Sequence, residues 1–245
     1  MAVPSPTWYD DAFYGSQAAG SRQSAKAVIP IVNEMMQPAS VLDVGCGVGT
    51  WLAEWVSQGV SDVVGLDGDY VKQSSLQIPA DKFIPTNLQK GFTLGRKFDL
   101  VSSLEVAEHL DAVYTDRFVE SLTSHGDVIL FSAAIPGQGG EHHVNEQWPP
   151  YWIEKFSRAG FKVFDAIRPQ IWGNADIEPW YRQNIFIFSN GRVFDTPDWG
   201  LVNVVHPDMW KFGIDYEMHP HQLLSSLPGA LSQVLRNKLG MSPRK

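Results

Sequence analysis

Apolar residues follow two rhythms along this chain. Over residues 21–36, Ala25, Val28, Ile29, Val32 and Met35 or Met36 fall three or four positions apart, the spacing of one buried helix face, and the run stops before Pro38. This predicts an amphipathic helix, interrupted or kinked near Pro30. From residue 40 the rhythm changes to short apolar runs at 40–44, 62–66, 82–85, 98–104, 127–134, 162–167 and 184–188, most of them separated by polar or helix-length segments. Seven short strands joined in this way predict a mainly parallel sheet covered by helices. Residues 191–245 break the alternation: Pro197, Pro207, Pro220 and Pro228 punctuate them before a predicted helix over 228–239, stopped by Gly240. Its apolar stripe of Leu227, Leu231, Leu235 and Leu239 suits packing onto the body of the domain or a homodimer contact.

No repeat interrupts this plan, so one domain is expected over 1–245. It divides into an N-terminal lid and helix (1–38), a core (39–190) with a long loop at 135–152, and a C-terminal extension (191–245). With 44% hydrophobic and 19% charged residues the chain can bury a sizeable core, which excludes a disordered protein. The net charge of −8 has the wrong sign for phosphate neutralisation, so no nucleic-acid substrate is expected. A single cysteine, Cys46, rules out an intramolecular disulfide framework and a cysteine zinc site. No stretch reaches the ~18 apolar residues of a membrane span, and the first twenty residues lack a basic segment leading into an apolar one. A cytoplasmic protein without a transmembrane segment is the expectation.

The strongest chemical signal is D-V-G-C-G-V-G over residues 43–49, where an apolar strand runs into a glycine-rich turn and then a helix. Glycines there let the backbone approach a ligand, and the free N–H groups of the helix start can bind it. A dinucleotide fingerprint needs a third glycine at position 50, which is Thr50. Asp43, at the strand tip, repels a pyrophosphate but suits an ammonium group, so an amino-acid-bearing cofactor is favoured over a nicotinamide dinucleotide. Asp67, 22 residues after Gly45, ends the next strand and can accept hydrogen bonds from ribose hydroxyls, and Asn87-Leu88 offers an amide to an adenine edge.

These motifs, together with F-D-L-V-S-S-L-E-V-A-E-H-L over 98–110, resemble the class I S-adenosylmethionine-dependent methyltransferases, in that family's order, from about residue 40 to 135. The resemblance implies an α/β Rossmann-like sheet of seven strands, the last antiparallel, flanked by helices. It also implies that Asp43, Gly45 and Gly47 hold the methionine part of S-adenosylmethionine, Asp67 the ribose, and Asn87 and Leu88 the adenine, while Leu104, Glu105 and Val106 line the sulfonium. As such segments often do in this family, Tyr14, Ser16 and Gln17 with Ser21–Ser24 could close over it.

The acceptor side is read from the loop after the fifth strand, which carries Glu141, His142, His143 and Glu146. A protonated aliphatic hydroxyl is a poor nucleophile and needs a base or a metal ion. His142 and His143 are the base candidates, with His143 favoured and Glu146 orienting it or holding an ion; adjacency alone does not separate the two histidines. Glu105, Glu108, His109, His142, His143 and Glu146 together form a mixed nitrogen and oxygen set, with Glu108, His109 and Glu146 the metal candidates for Mg²⁺ or another divalent ion. Trp148, Tyr151, Trp152, Trp172, Trp180 and Tyr181 crowd the segment that follows; they suit carbohydrate or flat ligands, or else the core. The stretches 143–152, 180–184 and 204–210, within about residues 130–212, are similar to methyltransferases of bacterial glycan and polysaccharide biosynthesis, which puts Trp148, Tyr151, Tyr181, Arg182 and Gln183 near the acceptor. The expected reaction is O-methylation of a sugar or oligosaccharide hydroxyl, the alternative a quinone or phenolic small molecule.

Overall fold

The computed structural model describes residues 11–196 and 203–211. The helix expected over 228–239 lies outside the described residues, as do the side chains of residues 11–19 within the first helix. Helix α1 (Asp11–Met36) is longer than the apolar spacing suggests and runs uninterrupted through Pro30. Proline removes one hydrogen bond and crowds the preceding turn. Ala25, Val28, Ile29 and Val32, all fully buried on both sides of it, hold the helix against the sheet.

Seven strands follow: β1 (Ser40–Val44), β2 (Asp62–Asp67), β3 (Phe83–Pro85), β4 (Leu100–Leu104), β5 (Val128–Ser132), β6 (Lys162–Phe164) and β7 (Phe186–Ser189). They lie in one sheet in the order β3-β2-β1-β4-β5-β7-β6. The pairings among β1 to β5 are parallel, whereas β7 runs antiparallel to both β5 and β6. Several strands are shorter than their apolar runs. The run beginning at 98 yields a strand only from Leu100, Phe98 making an isolated bridge with Gly126. The run at 162–167 leaves the sheet after Phe164, and Ala166 and Ile167 are instead buried beside α5 (Arg168–Ile171).

Period-two alternation distributes side chains to two cores. Val41, Leu100 and Leu130 face the layer of α1 and α2 (Thr50–Ser57), where Trp51, Leu52 and Trp55 are buried. Leu42, Val101, Ile129 and Phe131 face α3 (Thr115–His125) and α4 (Pro149–Arg158), with Phe118, Trp152 and Phe156. Phe156 stacks on Phe188 at 4.0 Å and meets Phe131 edge-on at 5.2 Å. α6 (Pro179–Asn184) delivers the chain into β7.

The chain direction reverses its order of strand addition between β1 and β4, and open α/β sheets bind ligands at the carboxyl ends of the strands flanking that point. Because Phe156 is fully buried among aromatic neighbours on both β5 and β7, Phe156→Ala is expected to lower unfolding free energy by about 3–5 kcal/mol in denaturant titration.

Candidate active site at the carboxyl edge of the sheet

The turn from β1 into α2 has Gly45, Gly47 and Gly49 at φ of 83°, 55° and 82°, left-handed values that disfavour any side chain. A Cβ at Gly45 would sit 2.3 Å from a Val106 methyl, so this glycine lets the turn close against the loop after β4. A Cβ at Gly47 meets nothing within 4 Å, so Gly47 opens onto free space at the sheet edge. Behind the turn, Asp43 is 4% exposed and accepts a hydrogen bond from the Ser102 hydroxyl at 2.7 Å. Burial drives its pKa from the ordinary carboxylate range up to about 7, the Ser102 hydrogen bond opposing and the charge of Asp67 adding to the rise.

Asp67, at the tip of β2, accepts from the backbone N–H of Gly47 (2.7 Å) and of Gly68 (2.6 Å) and from the Tyr70 hydroxyl (2.5 Å). Burial nevertheless raises its pKa, these three donors working against it. Asn87 is exposed and caps the turn Leu88–Lys90 by accepting from the Gln89 N–H, while Leu88 is buried behind it. Leu104 ends β4, and Glu105 follows at φ 55° with its N–H bonded to the Ser132 carbonyl and hydroxyl, both at 3.0 Å. Its carboxylate turns onto Gln138 Nε2 (2.7 Å) and Asn184 Nδ2 (3.1 Å). Asn184, which completes this bracket, closes the tyrosine-to-asparagine stretch at 181–184; its amide also donates to Gln138 at 2.9 Å. Nothing in the linear order ties residues 105, 138 and 184 together, and only the sheet brings them into contact.

In the acceptor loop His143 Nδ1 pairs with Glu146 Oε1 at 2.9 Å. Glu146 is itself fixed, accepting from the N–H of Gly137 (2.8 Å) and of Gly139 (3.1 Å). The backbone carbonyl of Glu108 accepts from Val144 (2.9 Å) and Asn145 (3.0 Å), which ties this loop to the turn Ala107–His109. The rings of His109 and His143 meet edge-on at 4.9 Å. Glu108, His109 and His143 can each direct one ligand atom to a common point, these atoms lying within 4.8 Å of one another. Glu146, expected among the ligands, instead stands behind His143. His142 takes a left-handed backbone (φ 59°) and is exposed. Burial pushes the His109 pKa down to about 4, with His143 adding to the effect and a hydrogen bond to the His142 backbone opposing it.

The aromatic residues divide. Trp148 is 38% exposed at the start of α4. Tyr151 is half-buried with its hydroxyl on Thr115 (3.3 Å), and Trp152 belongs to the core. Tyr181 is buried, meeting Trp51 edge-on at 5.1 Å, and its hydroxyl pKa is pushed up to about 12 by burial. Arg182 points to the C-terminal segment, bonding Asp208 (2.8 Å) and, at longer range, the Trp172 carbonyl and the His206 ring. Gln183 accepts from the His206 N–H at 2.7 Å.

A glycine turn open at Gly47, carboxylates at the tips of β1 and β2, and a sheet with this order and one antiparallel insertion together define a nucleoside-cofactor enzyme of the methyl-transfer type. Residues 20–166 match the methyltransferase domain family, and the chain belongs to it: it is a class I S-adenosylmethionine-dependent methyltransferase. It is 29% identical over 133 residues to the malonyl-[acyl-carrier protein] O-methyltransferase of Pseudescherichia vulneris, a match that covers 53% of this chain and 52% of that protein. This chain thus spans about half the length of that relative. Its fold is similar to the sugar N-methyltransferase KedS8 from Streptoalloteichus sp ATCC 53650, with a TM-score of 0.56 and 19% identity over 78% of this chain and 99% of that one. It is similar also to the magnesium protoporphyrin IX methyltransferase ChlM from Synechocystis PCC 6803 with bound S-adenosylmethionine, with a TM-score of 0.52 and 17% identity over 76% of this chain and 87% of that one. No helix among the described residues is long and apolar enough to cross a membrane.

Asp43 gives a pH dependence with a definite sign. Its folded pKa lies above that of the unfolded chain, so its favourable contribution is complete below about pH 4 and is lost as pH rises through about 7. Asp43→Asn, which keeps an acceptor for Ser102, is expected to raise the melting temperature of the cofactor-free protein at pH 8 and to change it far less at pH 4, as read by thermal denaturation.

Proposed function

We propose that this enzyme methylates a hydroxyl of a sugar or oligosaccharide, using S-adenosylmethionine as donor and releasing S-adenosylhomocysteine. The residues present fit the donor: Gly47 leaves open space at the turn, Asp43 stands ready to hold an ammonium group, and Asp67 offers carboxylate oxygens at the tip of β2. Asn87 and Leu88 would flank the adenine, and Leu104 with Glu105 the reacting end. The donor supplies an electrophilic methyl on a sulfonium, so that an oxygen attacking in line displaces a neutral thioether.

The protein's part is to align the acceptor and to take up its proton. The observation that carries the hydroxyl reading is the His143–Glu146 pair, built on two backbone amides and set beside Glu108 and His109 at the same sheet edge as Leu104 and Glu105. With Nδ1 on Glu146, His143 keeps Nε2 for the hydroxyl proton. An acceptor already ionised, such as a carboxylate, would give this pair nothing to do. The O-methyltransferase relative and the sugar N-methyltransferase fold are compatible with the assignment.

Trp148 is the loop's exposed ring, suited to stack on a sugar face, whereas Tyr151, Tyr181 and Arg182 are engaged with Thr115, Trp51 and Asp208. We place the reaction in the cytoplasm and in a single domain spanning the chain, with α1 closing over the donor.

Two measurements check this reading. Calorimetric titration is expected to show binding of S-adenosylhomocysteine and none of NADH, with NADH binding alone overturning it. His143→Ala is expected to lower turnover on a sugar acceptor by about 10²–10⁴-fold while leaving S-adenosylhomocysteine affinity unchanged. Full turnover in the variant removes His143 from the reaction.

A further inference from the structure

Glu108 is the least explained side chain in the described residues. It is 0% exposed, and neither carboxylate oxygen finds a hydrogen-bond partner of proper geometry, the nearest favourable groups being the N–H of Glu108 itself and of Ala134. A buried carboxylate in that condition is strongly unfavourable unless a cation or a proton joins it. Its neighbours supply no fixed positive charge. His109 carries a buried Nδ1 that also lacks a partner. Glu105 and Glu146 both add negative charge toward Glu108. Ligand atoms of two imidazoles and a carboxylate thus lie within 4.8 Å of one another, those of Glu108 and the His109 Nδ1 unsatisfied, with a surplus of negative charge around them.

We propose that Glu108, His109 and His143 bind a first-row divalent transition-metal ion that holds and acidifies the acceptor hydroxyl. Three observations support a built site. Glu108 and His109 are adjacent on one short turn, and the Glu108 carbonyl anchors the loop that brings His143 across, so the ligands are positioned by backbone hydrogen bonds. Glu146 on His143 Nδ1 is the carboxylate–histidine arrangement that fixes a metal-binding imidazole and strengthens it as a ligand. The donor set is two nitrogens to one oxygen, which suits Mn²⁺, Fe²⁺, Co²⁺ or Zn²⁺ better than Mg²⁺, an ion that prefers oxygen alone. Three protein ligands leave coordination positions for water or for acceptor oxygens, and a vicinal pair of sugar hydroxyls is the chemistry that fills two of them.

What the ion does rests on the methyl-transfer reading; whether it binds does not. A proton acceptor and a metal ligand cannot share one nitrogen, so an ion here changes the part His143 plays. The coordinated hydroxyl then loses its proton to water because the ion lowers its pKa, its oxygen forms the new bond to the methyl carbon, and the carbon–sulfur bond of the donor breaks.

The test uses the full chain stripped with a chelator, titrated with MnCl₂ by calorimetry and electron paramagnetic resonance and with CoCl₂ by visible absorption, S-adenosylhomocysteine binding serving as the control for folding. One Mn²⁺ per chain and cobalt bands of mixed nitrogen and oxygen ligation are expected. Glu108→Gln and His109→Gln are expected to weaken Mn²⁺ binding by about 100-fold or more with S-adenosylhomocysteine affinity retained, and Glu146→Gln, which leaves all three ligands in place, by about 10-fold. Should the buried Glu108 variant fail the folding control, the His109 and Glu146 variants decide. Absence of Mn²⁺ and Co²⁺ uptake by wild type that binds S-adenosylhomocysteine, or equal uptake by wild type and the folded variants, overturns the site. Ion uptake without sugar methylation leaves the site standing and removes the sugar, whereas sugar methylation undiminished after chelation, with no uptake, leaves His143 as the base.

Discussion

Four carboxylates, the buried Asp43, Asp67 and Glu108 and the partly buried Glu105, are gathered at the carboxyl ends of the parallel strands β1, β2 and β4, and the surrounding structure is organised around accommodating them. Burial disfavours their charged forms, and the pKa of each is raised for that reason. The fold answers with neutral hydrogen-bond donors in place of cations: a serine for Asp43, two turn amides and a tyrosine for Asp67, and two side-chain amides for Glu105. Such donors moderate the cost without discharging the site, which keeps it receptive to a positively charged ligand. Glu108 alone is left without this support.

The glycine turn and the acceptor loop meet that constraint by different means. In the turn, left-handed glycines aim successive N–H groups at Leu66 and Asp67, so β1 and β2 are stitched together at the point where the sheet opens. In the loop, Glu146 gathers the amides of Gly137 and Gly139 and the ring of His143, making the carboxylate an organiser of backbone as well as of a side chain. A third set of contacts, from Gln183 and Arg182 to His206 and Asp208, carries the order of α6 outward to the segment at 203–211. Asn184 is the hinge between these layers, since it touches Glu105 and Gln138 on one side and Gln183 on the other.

Much of this was legible along the chain. Seven apolar runs correspond to seven strands because central strands covered on both faces are apolar almost throughout, and the glycine turn is local chemistry whose residues are contiguous. The strand ends and the passage of α1 through Pro30 were not, because a strand stops where its neighbour does and a proline is tolerated where packing on both sides holds the helix. The aromatic cluster from residue 148 is similarly ambiguous in sequence: Trp148 and Trp152 have the same composition cue, and only their places, Trp148 just before α4 and Trp152 on its inner face, decide that one ring is exposed and the other is core.

The sequence by itself determined the alternation of strand and helix, the position of the cofactor turn and the presence of histidines and carboxylates after β4 and β5, because each of these is written in residues close together. Tertiary structure alone decided which of them act together. It brought His143, paired with Glu146 three residues on as the sequence suggested, beside His109, placed Glu108 among them with Glu146 behind, and closed Glu105 under Gln138 and Asn184. The physical reason is that residues 105–109, 138–146 and 184 arrive at one sheet edge from separate elements, and their distances are set by strand pairing and burial, which no spacing along the chain encodes.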